Sequence, residues 1–172
     1  LAAELEVQPS ALYWHVPNKQ TLLALVSDQI IGRAAPVKDL GDWKATTLAE
    51  ATAIRNALMA FRDGAEVVSS TLALGLGADG ALARIRGGIE QFCPHAEIAR
   101  VTSESILFLV LGQVWHEQQR MQADSLGVVA PAVEANPENA ATSRVLHGQI
   151  DSFDFGVGLI LDGLEKKLAA VL

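Results

Sequence analysis

The sequence predicts an all-α chain. Alanine and leucine are abundant among its 172 residues, aromatic residues make up only 5%, and β-branched residues form no alternating runs. Half of the residues are apolar and 19% are charged, so the chain can bury a substantial core and long disordered stretches are not expected. We therefore expect one compact helical domain, with room for a small appendage.

Apolar residues at three- and four-residue spacing predict the helices in order. The first helix runs from Lys19 to about Gly32, and Pro36 and Gly41 interrupt the pattern in a linker over residues 34–42. Asp42 is the expected N-cap of the second helix, and Asp63-Gly64 is its expected stop signal. The other predicted helices are a short one through Val67 and Val68, one from Leu82 to Phe92, and two long ones, Ala96 to Gln122 and Asp151 to Leu172.

The two long helices show signs of close packing. The helix from Ala96 to Gln122 is apolar on more than one side, as expected in the middle of a bundle. Gly156 and Gly163 are seven residues apart on one face of the last helix. Because glycine costs up to about 1 kcal/mol inside a helix, this pair predicts that another helix approaches there. Glycines 75, 77 and 80 predict a flexible connection, and residues 123–141 predict a loop.

Charge and composition exclude several classes of protein. The formal net charge is −7, which on its own disfavours nucleic acid as a partner. A single cysteine, Cys93, rules out disulfide stapling. The longest apolar run, Ile106 to Leu111, is too short to cross a bilayer, so we predict a cytoplasmic protein with no membrane partner. The chain begins at Leu1 rather than at methionine, and we expect further N-terminal sequence.

The stretch from Leu1 to Leu23 predicts two short helices joined by a tight turn. Leu1 to Leu5 is the end of one helix, and Pro9 to His15 is a second helix that begins at a first-turn proline. Two such helices form a helix-turn-helix, whose second helix can enter a DNA major groove. The candidate base and phosphate contacts are Gln8, Ser10, Tyr13, Trp14, His15 and Lys19.

A purely structural interpretation competes with DNA binding. Short helix pairs that carry aromatic residues also occur in protein cores. Lys19 and Arg33 oppose three acidic residues within Leu1 to Ala34, and this excess of negative charge argues against an autonomous DNA-binding module.

The segment LYWHVPNKQTLL resembles the recognition helix and following helix of the tetracycline repressor (TetR) family of bacterial transcriptional regulators. The similarity continues in order through Gly41-Asp42-Trp43, Arg62-Asp63-Gly64-Ala65, Leu111-Gly112, Gln118-Gln119 and FGVGLILDGLEKKL, and it is greatest to the tetracycline repressor subfamily.

The resemblance implies an all-α homodimer that represses transcription. An N-terminal helix-turn-helix, incomplete here, and a linker helix would occupy residues 1–34. A ligand-binding and dimerisation core with a four-helix dimer interface would occupy residues 35–172. The implied partners are palindromic double-stranded operator DNA and a small-molecule effector that releases it. The implied DNA contacts are Gln8, Pro9, Ser10, Tyr13, Trp14, His15 and Lys19, and the implied interface includes Gly156, Ile160, Gly163 and Leu164.

The implied effector pocket departs from the subfamily pattern. Ala35 and Val68 stand where the tetracycline repressors have histidines that hold the drug and its magnesium ion, Glu50 replaces an amide, and Ile54 replaces an aromatic residue. Because a hard cation needs oxygen or imidazole ligands, we expect no metal, no cofactor and a largely apolar effector. The implied pocket residues are Glu50, Ile54, Val68, Thr71, Phe108, Trp115, His116 and Glu117.

Other candidate sites are weaker. Cys93, His95 and Glu97 are too few for a structural zinc site, and Pro94 is better explained as preceding a helix. His116 and Glu117 suit a pocket or an interface equally. No nucleophile elbow or phosphate loop is present, so no enzyme is predicted. The alternative that stays open is an all-helical small-molecule binding protein, or cryptic enzyme, without operator binding.

Overall fold

The computed structural model describes residues 6, 8, 16–128 and 151–171. These residues contain no strand and form six helices, as the all-α prediction requires. The helices are α1 (Lys19–Gly32), α2 (Trp43–Met59), α3 (Gly64–Leu72), α4 (Asp79–Glu90), α5 (Ala96–Ser125) and α6 (Ser152–Val171). The predicted helix from Pro9 to His15 and most of the predicted loop over residues 123–141 lie outside the described residues.

Three boundaries differ from the sequence prediction. Asp63-Gly64 was the predicted stop of α2, but α2 already ends at Met59 and Gly64 is the first residue of α3. Gly80 lies in the first turn of α4, so the connection that precedes this helix is shorter than the glycine pattern indicated. Helix α5 was predicted to end at Gln122. Its polar last turn keeps helical hydrogen bonds, and the helix continues to Ser125.

Side-chain caps fix the starts of α1 and α2. Asn18 Oδ1 accepts a hydrogen bond of 2.8 Å from the Thr21 backbone N–H. Asp42 Oδ1 accepts bonds from the backbone N–H groups of Lys44 and Ala45 at 2.7 and 3.0 Å, so its predicted N-cap role is confirmed. Each cap satisfies backbone donors that the helix cannot, which stabilises a helix end by about 1 kcal/mol.

Helix α2 is the centre of the fold, because it packs against α1, α3, α4, α5 and α6. Its residues Ala51, Ile54 and Leu58 are fully buried. The α2–α4 crossing is so tight that a Cβ added to Gly88 would overlap the Thr47 hydroxyl and lie 3.2 Å from the Thr47 Cα. Only glycine at this position lets the two backbones approach so closely.

Helix α5 is long and apolar enough, by length and composition alone, to span a membrane. The sequence prediction considered only uninterrupted apolar runs and therefore did not anticipate this. Its fully buried residues Ile106, Leu107, Val110 and Val114 belong to the core that the helices share. The core helix of a water-soluble bundle can have the same composition, and this position explains the buried apolar face of α5.

Replacing Gly88 by alanine tests the α2–α4 crossing. The new methyl group would push Thr47 away, so we expect the free energy of unfolding to fall by about 1 to 3 kcal/mol. Gly87→Ala is the matched control, because an added Cβ there meets nothing within 4 Å. That variant should be as stable as the wild type, or more stable by up to about 1 kcal/mol. Urea unfolding measures both, and equal stabilities would contradict the crossing.

Candidate functional site

An apolar stripe runs along the outside of α5. Ile98, Val101, Phe108 and Trp115 follow one another at intervals of three or seven residues, and each is between 41% and 59% exposed. Ser105 and Gly112 complete the alternating three- and four-residue spacing. This is the spacing of a seam that packs against another helix.

A mainly apolar groove of about 830 Å³ lies between α5 and α6 and continues from this stripe. Ile98, Val101 and Leu159 form exposed parts of its lining. Three of the four predicted interface residues, Ile160, Gly163 and Leu164, also line it. We call this the α5–α6 groove.

The two glycines that predicted close helix packing have different surroundings. A Cβ added to Gly156 would lie 3.1 Å from Leu109 Cδ2, so the helix that approaches Gly156 is α5 of the same chain. A Cβ added to Gly163 would meet no atom of the described residues within 4 Å. Gly163 therefore leaves space that a second molecule can fill.

A second apolar groove, of about 750 Å³, lies between α3 and α5. Phe108 and Trp115 are two turns apart and line it together, with Leu111 and Leu72. Glu66, Ser69 and Ser70 of α3 contribute polar groups to the lining. We call this the α3–α5 groove, and it contains two of the predicted pocket residues.

A third cleft, of about 660 Å³, is more polar and lies between the second half of α5 and the start of α6. It brings Phe108, His116 and Glu117 together. Arg55 Nη2 donates a hydrogen bond of 2.6 Å to Glu117, and its guanidinium carbon lies 5.6 Å from the centre of the Phe153 ring. The His116-Glu117 pair therefore lines a cleft, with Glu117 held by a residue of α2.

The remaining predicted pocket residues lie inside the protein. Ile54 and Val68 are fully buried, and Thr71 donates a hydrogen bond of 3.0 Å to the Val68 carbonyl. Glu50 accepts a bond of 2.6 Å from Arg84 Nε. The eight predicted residues are thus divided among a closed core, an ion pair and two clefts, and their role in effector binding stays a prediction.

Only two of the predicted DNA contacts fall within the described residues. Gln8 is exposed, and Lys19 is exposed in the first turn of α1. Pro9, Ser10, Tyr13, Trp14 and His15 lie outside the described residues.

The Cys93-His95-Glu97 sequence builds no metal site. Cys93 is buried with its Sγ 3.6 Å from the His95 carbonyl oxygen. Among the described residues, no three His, Cys, Asp or Glu side chains converge as metal ligands. His95 is the N-cap residue of α5, which fits the helix entrance predicted after Pro94.

Sequence reasoning missed Gln118, a buried amide that holds the turn between α2 and α3. Its Nε2 donates to the carbonyls of Leu58 and Phe61 at 3.0 and 2.7 Å, and its Oε1 accepts from the Ala65 N–H at 3.4 Å. Gln118 continues the spacing of the buried residues Leu111 and Val114 along α5. An amide at an otherwise apolar position was the signal that could have identified it.

Known proteins share the sequence pattern of this chain. Residues 35–168 match the family model described as "Tetracyclin repressor-like, C-terminal domain". The chain belongs to the tetracycline repressor family. It is 31% identical to the class G tetracycline repressor protein of Vibrio anguillarum, over 100% of this chain and 85% of the relative. The family is one of transcriptional regulators, which agrees with the resemblance seen in the N-terminal segment.

Solved structures show the same fold. The structure of BioQ with its double-stranded DNA operator has a TM-score of 0.73 and 28% identity, covering 95% of this chain and 82% of BioQ. A TetR variant from Acinetobacter baumannii AYE in complex with minocycline has a TM-score of 0.69 and 25% identity, covering 95% of this chain and 80% of the variant.

Replacing Gln118 by alanine tests its role at the α2–α3 turn. The variant leaves two carbonyl groups without their side-chain donor, so we expect it to lose about 1 to 3 kcal/mol of stability. Gln119→Ala removes the neighbouring amide, which makes none of these bonds, and should change stability by less than about 0.5 kcal/mol. Chemical denaturation measures the free energy of unfolding of both variants. A Gln118→Ala protein as stable as the wild type would show that the amide is dispensable.

Proposed function

We propose that this protein is a homodimeric, ligand-responsive transcriptional repressor. The observation that carries the proposal is its similarity along the whole chain to proteins named as tetracycline repressors. The operator complex of BioQ and the minocycline complex of the TetR variant supply the two kinds of partner, operator DNA and a small molecule. We assign residues 1–34 to DNA binding and linkage, and residues 35–172 to effector binding and dimerisation.

The dimer would form through α5 and α6. Ile98, Val101, Phe155 and Leu159 are each 41% to 57% exposed on these two helices, and exposed apolar patches of this kind mark protein interfaces. Burying them against a second copy would produce a four-helix interface. Two DNA-binding segments, one from each protomer, would then match the two halves of a palindromic operator.

The effector would be a largely apolar organic molecule bound without a metal ion. Val68 is fully buried and Ala35 has only a methyl side chain, so neither can replace the histidines that hold a magnesium chelate. The α3–α5 groove offers the aromatic side chains of Phe108 and Trp115 instead. Its volume, about 750 Å³, lies in the range of pockets for small organic ligands.

The proposal also concerns whether the protein has catalytic activity and where in the cell it acts. The relatives are regulators rather than enzymes, and we propose that this protein is likewise a regulator without catalytic activity. A DNA-binding regulator of this family acts in the bacterial cytoplasm, which is where we place it.

Substituting Lys19 tests DNA binding in the full-length protein. If Lys19 contacts a phosphate, Lys19→Gln should weaken binding to duplex DNA from the upstream region of its own gene and reduce the salt slope by about 1. Lys38→Gln is the control, since Lys38 is also exposed but lies in the linker after α1. Fluorescence anisotropy over a salt series measures both slopes. Absence of salt-sensitive binding by the wild type would contradict the repressor proposal.

Replacing Gly163 by leucine tests the dimer. Its side chain would project into the α5–α6 groove, so we expect dissociation to monomers at micromolar concentrations. Gly158→Leu is matched to it, because an added Cβ there also meets none of the described atoms within 4 Å, yet Gly158 does not line the groove. Light scattering gives the mass of each variant. A dimer that tolerates Gly163→Leu would place the interface elsewhere.

A further inference from the structure

The guanidinium of Arg84 on α4 joins three parts of the chain. Its Nε donates to Glu50 Oε2 on α2 at 2.6 Å. Its Nη1 and Nη2 donate to the carbonyls of Ala34 and Ala35 at 2.9 and 2.5 Å, just beyond the end of α1. We call these four residues the Arg84 junction.

The chemistry of the junction depends on arginine. A guanidinium has five N–H donors in a rigid plane, so one side chain can bind a carboxylate and two carbonyls at once. The Arg84 and Glu50 side chains are 24% and 14% exposed, which limits screening by water and salt.

The segment that leads to Arg84 follows α1 along its second half. A Cβ added to Gly77 would lie 3.3 Å from the Ala24 carbonyl oxygen, and the Ala78 N–H donates to Asp28 Oδ1 at 3.3 Å. A Cβ added to Gly80 would lie 3.8 Å from Ile31. Residues 77–80 thus lie close to successive turns of α1, and Arg84 binds two carbonyls just beyond the end of that helix.

The backbone of this segment is strained where it meets α1. Gly77 and Ala78 have φ angles of 71° and 63°, and a left-handed conformation is unfavourable for alanine. Such a conformation persists only when the surrounding contacts hold it. The bond from the Ala78 N–H to Asp28 of α1 is one such contact.

We propose that Arg84 is a positioning residue that sets the orientation of α1 relative to the core, and thereby the spacing of the two DNA-binding segments in the dimer. Glu50 on α2 holds Arg84 in place, so loss of the Glu50–Arg84 contact would free the end of α1. This regulation rests on the proposed repressor function. It assigns Glu50 to transmission of the signal rather than to contact with the effector alone.

The test compares Arg84→Gln, Arg84→Lys and Glu50→Gln with Arg86→Gln in the full-length protein. Arg86 is the matched control, because it lies on the same helix and, within the part of the chain that the structure describes, pairs with Glu90 alone, at 3.3 Å on the surface. Hydrogen exchange over residues 28–37 reports local opening at the end of α1. Fluorescence anisotropy with duplex DNA from the upstream region of its own gene reports operator affinity, and the thermal midpoint reports global stability.

We expect Arg84→Gln to accelerate exchange severalfold over residues 28–37 and to weaken DNA binding about fivefold or more, the size of a typical coupling between sites. Arg84→Lys should fall between it and the wild type, since lysine keeps the charge but not the planar donors. Arg86→Gln should match the wild type in both readouts.

Unchanged exchange in Arg84→Gln, or an equal loss of DNA binding in Arg86→Gln, would overturn the proposal. If Arg84→Gln does not fold, Glu50→Gln and Arg84→Lys decide by the same two readouts. If the wild type binds no DNA, the repressor function fails, whereas the exchange measurement still accepts or rejects the junction.

Discussion

The close packing of α2 against every other described helix is the constraint on which the rest of the structure depends. Its apolar face fills the interior with Ile54 and Leu58, and Gly88 of α4 allows the closest helix crossing. A helix enclosed on so many sides leaves few directions for polar side chains. Three charged side chains at its edges each form a contact with a different helix.

Three charged residues at these edges tie α2 to its neighbours. Lys44 donates to Asp162 and Glu165 of α6, both at 2.7 Å, and these bonds raise the pKa of Lys44 and lower that of Asp162. Arg55 pairs with Glu117 of α5, and Glu50 pairs with Arg84 of α4. The ion pairs of Lys44 with Asp162 and Glu165 are exposed and contribute little to the stability of the fold. The partly buried Glu50–Arg84 pair is the one that also binds the backbone just beyond the end of α1.

The sequence predicted the elements whose causes are local. Helical periodicity located α1 to α6, and Asp42 was recognisable as a cap because its bonds reach only two and three residues ahead. Helical periodicity and capping patterns do not predict contacts between residues that are distant in the sequence. Gln118 bonds to residues 57 and 60 positions away, and Arg84 binds Ala34 and Glu50 across the fold. The glycine pair on α6 showed the same limit, since only the folded chain distinguishes Gly156, packed on Leu109, from the open Gly163.

Repression through a palindromic operator requires a dimer that binds DNA as one unit. Sedimentation velocity of the full-length protein mixed with a labelled duplex from the upstream region of its own gene tests this most directly. At about 50 mM salt we predict a single complex of one dimer per duplex, which dissociates as the salt concentration rises towards about 200 mM. A monomeric protein, or a duplex that sediments free at about 50 mM salt, would contradict the account.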